Sequence, residues 1–221
     1  MKSQDSDLIA VAEQICHYSS LMWESGFAEA NGGNISVRLV NGNFLVTPTN
    51  HSKKELVPED MVISDYKGVQ ISSANRRVSS EFSTHLAIYR INPETMAVIH
   101  AHPPYTCSFA CSGNFPSAPL TAEAVIWAEN IKVIPYILPG SEELANCILT
   151  TGADADVFIL KNHGIITFGK SLKEAWFKCE VVEAQSKLYH LAACRSEDPV
   201  KLDKMQINKL REIKKIFFND K

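Results

Sequence analysis

The chain has 221 residues, 45% hydrophobic and 21% charged, with 22 Lys and Arg against 25 Asp and Glu for a formal net charge of −3. A chain of this size buries a core without staples, and this charge balance leaves no electrostatic footprint for nucleic acid. No apolar run reaches membrane-spanning length, and the polar start Met1-Lys-Ser-Gln-Asp-Ser-Asp7 does not read as a signal peptide, so a cytoplasmic protein with no membrane partner is expected.

In chain order, Leu8, Ile9, Ala12, Ile15, Cys16, Leu21 and Met22 recur near the helical period and predict a helix over 5–25, closed by Gly26. A turn at 31–33 leads into a strand over 35–39, and Asn41-Gly42 connects it as a hairpin to a strand over 44–47. A polar loop over 48–54, a short helical turn at 57–60 and short strands at 61–64 and 69–71 follow. Ser79 and Ser80 are N-cap candidates for a helix to about Asn92. Further helices are predicted over 104–112 and 121–129, and from a Ser141 cap to about Thr150. Strands are predicted at 131–134, 157–160 and 165–168. Ser171-Leu-Lys-Glu174 is a capping box opening a long helix to about Ala193, and 205–218 is amphipathic and lysine-rich. No repeat or linker interrupts the chain. The pattern predicts an α/β fold: a single three-layer α/β/α domain over 1–221 with a central mixed, largely antiparallel β-sheet and a C-terminal helix or tail over 195–221. The six cysteines, at 16, 107, 111, 147, 179 and 194, form no C-x-x-C pair and are expected as buried structural thiols in a reducing compartment.

The chemistry concentrates in Val98-Ile-His-Ala-His-Pro-Pro-Tyr105. Val98 and Ile99 favour a strand and the two prolines end it, which puts His100 and His102 at its C-terminal end. Residues two apart share a strand face, so both imidazoles reach one ion without distortion. A catalytic zinc site takes three protein ligands and keeps a fourth position open. His163, in Asn162-His-Gly164 just after an apolar run, is the third on offer. Paired histidines at a strand end also occur as hydrogen-bonded surface groups, and the sequence alone does not show convergence.

Other polar positions carry two readings each. Gly32-Gly33-Asn34 is either a tight turn or a place where backbone N–H groups approach an anion, with Asn34 as a side-chain donor. Thr49 and Asn50 in the next loop, and Ser79 and Ser80 at a helix start, are further neutral donors, although capping alone accounts for the serines. Three donor-rich turns suit one phosphate in a site with few lysines. Glu81 either complements a helix macrodipole or works as a general acid/base beside the metal. His85 shares its helical face and reads as a histidine behind the ligands or in the core. His17, His51 and His190 read as structural or surface residues. Tyr136, flanked by Pro135 and Pro139, either packs or donates a proton.

Together and in this order, Gly32-Gly-Asn-Ile-Ser-Val-Arg38, Val46-Thr-Pro-Thr49, Ser79-Ser-Glu81, His100-Ala-His102 and Asn162-His-Gly164 resemble the class II aldolase/adducin family, over nearly the whole chain. The resemblance implies that His100, His102 and His163 hold Zn2+ or another divalent ion. It implies that Gly33, Asn34, Thr49, Ser79 and Ser80 hold a substrate phosphate, with Asn50 where the aldolases carry glycine. Glu81 would then carry the proton and Tyr136 would help protonate the departing alkoxide. The activity implied is aldol cleavage of a phosphorylated sugar of the L-fuculose-1-phosphate kind to dihydroxyacetone phosphate and an aldehyde, through a metal-stabilised enediolate, in a homotetramer with the site near a subunit interface. Related 4-epimerase, keto-acid phosphate decarboxylase and methylthioribulose-phosphate dehydratase reactions are the alternatives, and a non-catalytic adducin-like binding module is the alternative of another class. The tail tyrosine that the relatives use has no counterpart in 195–221, where Phe217 and Phe218 carry no hydroxyl.

Overall fold

Seven strands make one sheet, and the alternation of their side chains divides the interior in two. The computed structural model describes residues 2–72, 75–116 and 118–217. The strands are β1 (Asn34–Arg38), β2 (Phe44–Val46), β3 (Val62–Ser64), β4 (Ala97–Ala101), β5 (Ile131–Ile134), β6 (Val157–Leu160) and β7 (Gly164–Gly169). Their order is β3-β2-β1-β4-β7-β6-β5, and every pair is antiparallel except β5 with β6. Helices α1 (Lys2–Glu24), α2 (Phe82–Ile91), α3 (Pro104–Ser112), α5 (Glu142–Thr151) and α6 (Leu172–Cys194) cover the sheet, while α4 (Ala122–Trp127) packs on α6 and α7 (Lys204–Phe217) packs on α4. Ile35, Ile99, Ile159 and Ile165 face α1 and α6, whereas Val98, Phe158, Leu160 and Ile166 face α2 and α5. This is the expected α/β fold with its mixed, largely antiparallel sheet. Among the described residues, no helix is long and apolar enough to cross a membrane.

Three expectations need correction. The serines at 79 and 80 do not cap α2: Glu81 occupies the cap position, no side-chain cap bond forms, and Ser79 Oγ only meets the Glu81 N–H at 3.4 Å. The 69–71 segment is no strand. Asp65 Oδ1 accepts from the Lys67 and Val69 N–H groups and closes a tight turn, leaving one bridge between Ser64 and Gln70. The cysteines are not uniformly buried either, since Cys111 and Cys194 lie exposed on the outer faces of their helices and only Cys179 is fully enclosed. Other caps form as expected. Ser141 and Ser171 accept from Leu144 N and Glu174 N, although the Glu174 carboxylate turns to the Lys170 N–H instead of completing the box. Phe218, the expected end of the last helix, lies outside the described residues.

Candidate metal centre and adjoining cavity

β1 and β4 pair with Asn34 opposite His100, so the Gly-Gly-Asn turn and the histidine strand end side by side. Gly33 makes this approach possible: its φ is +70°, and a Cβ there would stand 2.6 Å from Met22 Cε and 2.9 Å from the His100 carbonyl oxygen. The short β6–β7 connection supplies His163, with Asn162 taking the left-handed conformation at φ 54° that asparagine tolerates. Gly164 then lets β7 pass the Ala101 carbonyl and the His102 ring, which a Cβ would strike.

One ring nitrogen from each of the three histidines lies within 4.8 Å of the others. His100 Nδ1 stands 2.9 Å from the Ile165 carbonyl oxygen and His102 Nδ1 stands 2.9 Å from Glu29 Oε1. A carbonyl or carboxylate oxygen only accepts, so both Nδ1 atoms carry a proton, and in the neutral rings that bind metal both Nε2 atoms present lone pairs. Those two Nε2 atoms face each other at 3.0 Å. Two lone pairs at that separation repel, and a cation between them removes the conflict. Tetrahedral bonds of 2.0–2.1 Å would set such nitrogens about 3.3 Å apart. The donor set therefore fits a divalent ion. Burial pushes His100 well below its ordinary pKa, with His102 and His163 adding to it, and burial also lowers His163. Neutral rings are the form that binds metal.

Glu81 faces the same point. Its Oε2 accepts from Asn34 Nδ2 at 2.8 Å and lies 3.4 Å from His100 Nε2, and its Oε1 lies 3.4 Å from His163 Nε2. Beside it opens a cavity of about 160 Å³. Gly33, Asn34, Thr49, Asn50, Ser79 and Ser80, all six expected around a phosphate, line it together with Glu81 and His102. Its two outer loops are joined by a bridge between Pro48 and Val78 and by the Thr49 N–H donating to the Arg77 carbonyl at 3.0 Å. Larger hollows, of about 500 Å³ between α1 and β1 and about 560 Å³ beside α6, hold none of these histidines.

Tyr136 is not brought in. It is exposed on the turn after β5, although Gly140 of the same segment abuts the Ser80 carbonyl. His85 lies buried between α2 and the sheet, on the face that His100 also points to, with Nδ1 2.7 Å from Ser36 Oγ, while His17 is exposed and His51 and His190 are half-buried. Two residues were missed by reading the sequence. Glu29 reaches His102 only because the His102 N–H donates to the Phe27 carbonyl and draws that segment alongside. Lys53, in the loop read as merely polar, is 1% exposed, and its Nζ donates to the Asn31 and His51 carbonyls at 3.2 and 2.7 Å. No local pattern signals either contact.

A family model described as Class II Aldolase and Adducin N-terminal domain matches residues 13–190. The 3-oxo-tetronate 4-phosphate decarboxylase of Escherichia coli strain K12 is 31% identical over 190 residues, covering 84% of this chain and 89% of that protein. The L-fuculose phosphate aldolase of Methanococcus vannielii is 35% identical over 178 residues, covering 80% and 93%. Among solved structures, YgbL from Escherichia coli superposes with a TM-score of 0.86 at 30% identity, covering 92% of this chain and 99% of that one.

Proposed function

The chain belongs to the class II aldolase and adducin family, and from that membership we propose a divalent-metal-dependent lyase, with zinc as the ion, that cleaves a phosphorylated ketose of the L-fuculose 1-phosphate type to dihydroxyacetone phosphate and an aldehyde. The observation that carries the reading is the placement of Glu81, held by Asn34 between the Nε2 atoms of His100 and His163 at the end of the cavity. A binding module would have no use for a carboxylate fixed there. A divalent ion on the three imidazoles would polarise the substrate carbonyl and stabilise negative charge developing on its oxygen.

The chain's own residues divide the remaining work. Gly33, Asn34, Thr49, Asn50, Ser79 and Ser80 hold the phosphate and so aim the keto carbon at the histidines. Glu81 returns a proton to the carbon left behind when the bond breaks, or removes it in the synthetic direction. Asn34 keeps that carboxylate turned inwards. Protonation of the departing alkoxide falls to Tyr136, which stands exposed outside the cavity and would have to swing in on the turn whose Gly140 borders Ser80. A homotetramer, with a neighbouring subunit beside the site, and a cytoplasmic location complete the proposal.

A second reading comes from the decarboxylase relative. Loss of CO2 from a 3-oxo-tetronate 4-phosphate leaves the same three carbons as the aldol cleavage, so Glu81 would protonate the same position in both reactions. The two differ only in the fragment that leaves. The test follows from this. Zinc-loaded protein is incubated with dihydroxyacetone phosphate in heavy water, and loss of the hydroxymethyl proton signal is followed by NMR. Exchange is expected with the wild type and a drop of about 10²- to 10⁴-fold in Glu81→Gln at unchanged metal content. Absence of exchange from metal-bound wild type would refute both reactions. Condensation with L-lactaldehyde then supports the aldolase, and CO2 release from 3-oxo-tetronate 4-phosphate without condensation replaces it by the decarboxylase.

A further inference from the structure

We infer that Lys53 is the cation of the phosphate cavity, a positioning residue that ties two of its walls together from behind and sets a full positive charge against the anion in front. The inference rests on the proposed phosphate role of that cavity. Lys53 is among the largest fully buried side chains of the molecule, and burying an ammonium without a counter-ion is costly. Its two acceptors are neutral carbonyls, those of Asn31 and His51, and it makes no ion pair among the described residues. Two carbonyls satisfy two of the three N–H groups and none of the charge.

The placement shows what that charge is for. Asn31 belongs to the Gly-Gly-Asn turn and His51 follows Thr49 and Asn50, so one ammonium holds both walls. Asn31 Nδ2 also reaches Asn50 Oδ1 at 3.4 Å across the same gap. The cavity is otherwise lined by neutral donors, by His102 and by the Glu81 carboxylate, whose charge opposes an incoming dianion. Of the charged and titratable groups, Glu81 at the head of α2 and His100 of β4 act on the Lys53 charge, whereas His51 of its own loop meets it through the backbone carbonyl. Burial pushes the Lys53 ammonium down to about 8, with Glu81 pulling the other way. An anion bound in front restores the counter-charge that the ammonium lacks, and the free energy of that pairing appears as affinity.

The test titrates the zinc-loaded protein with inorganic sulfate, a dianion throughout the range, between pH 7 and 9.5 in wild type, Lys53→Arg and Lys53→Met. Wild-type affinity is expected to fall more than about tenfold as the pH rises across this range, because the free ammonium, lowered by burial, loses its proton there. Lys53→Arg keeps its charge and should bind with no such fall. Lys53→Met should bind at least about tenfold more weakly than wild type at pH 7 and lose the pH dependence, with zinc content and circular dichroism unchanged. Wild-type affinity that is flat from pH 7 to 9.5, a fall that persists in Lys53→Arg, or undiminished binding by a folded Lys53→Met would each overturn the role. If Lys53→Met does not fold, the wild-type and Lys53→Arg profiles decide. A wild type that binds no sulfate refutes the phosphate reading itself, whereas loss confined to Lys53→Met leaves that reading standing.

Discussion

His100 and His102 are oriented by acceptors of different stiffness. The Ile165 carbonyl that receives the His100 Nδ1 proton belongs to a neighbouring strand and is fixed by the sheet, whereas Glu29, which receives that of His102, is 71% exposed on its side chain. An acceptor on Nδ1 fixes the tautomer, aims the ring and raises the basicity of Nε2, and losing such a partner typically costs 10–100-fold in metal affinity. Glu29→Ala should therefore weaken zinc binding by about 10–100-fold, measured by competition with a chromophoric chelator. Glu29→Gln keeps an accepting oxygen and should lose far less. Equal affinity in Glu29→Ala and wild type would show that the backbone bond from the His102 N–H to the Phe27 carbonyl orients the ring alone. Histidine spacing was legible in the sequence because strand periodicity alone places His100 and His102 on one face. Their partners were not, because Glu29 and Ile165 become neighbours only through contacts that no local pattern encodes.

Helix α3 starts two residues after His102, and its first turn is held from across the molecule. Tyr105 N and Thr106 N donate to the Glu183 carboxylate at 2.9 and 2.8 Å, and Thr106 Oγ1 donates at 2.7 Å. Pro104 has no N–H to offer, so Glu183, buried on α6, satisfies orphan donors of that turn and complements its dipole. Glu183→Ala would leave two N–H groups unpaired and the Thr106 hydroxyl with Ser186 Oγ at 3.2 Å as its remaining partner, at a cost of roughly 3 kcal/mol. Glu183→Gln retains one accepting oxygen and should lose about half of that. Urea denaturation midpoints check both, and an unchanged midpoint in Glu183→Ala would mean that water replaces the carboxylate. Elements of this kind were largely legible, since helical periodicity, the Asn41-Gly42 hairpin and the caps at Ser141 and Ser171 are local signals. The start of α2 was not. Ser79 and Ser80 have capping chemistry, but Glu81 is drawn inwards by Asn34 and the histidines, and the helix begins one residue later for the sake of the site. Lys53 was missed for the opposite reason, because a lysine in a polar loop gives no local sign that tertiary contacts will enclose it.

The sheet separates the two cores, and β1 carries polar groups through it. Ser36, opposite the α1 side, meets His85 Nδ1 at 2.7 Å and Tyr89 Oη at 2.9 Å, all three buried among Phe44, Phe82 and Val98. His85 Nε2 has no hydrogen-bond partner among the described residues, so nothing there favours a second proton on the ring. Burial pushes His85 from 6.5 down to about 3, with the nearby His100 adding to the effect. The unfolded chain therefore takes up this proton first as the solution is acidified. Stability contributed by neutral His85 is complete above pH 6.5, falls as the pH drops between 6.5 and about 3, and falls no further below that, with a slope of about 1.4 kcal/mol per pH unit for one proton. His100 is lowered in the same direction, so the whole molecule is predicted to be acid-labile on the side of the sheet that carries its chemistry. His85→Asn, which keeps a short polar group near Ser36 but cannot titrate, isolates the term. Its stability from denaturant titrations between pH 6.5 and 4.5 should fall less steeply than that of wild type by about one proton's worth of slope, even if it is less stable at pH 7. Parallel slopes would mean that His85 gains its proton in the folded protein as readily as in the unfolded chain, and that acid acts elsewhere. A reduced slope would assign to one buried ring, outside the metal site, a defined share of the lower pH limit at which the fold can hold its three imidazoles together.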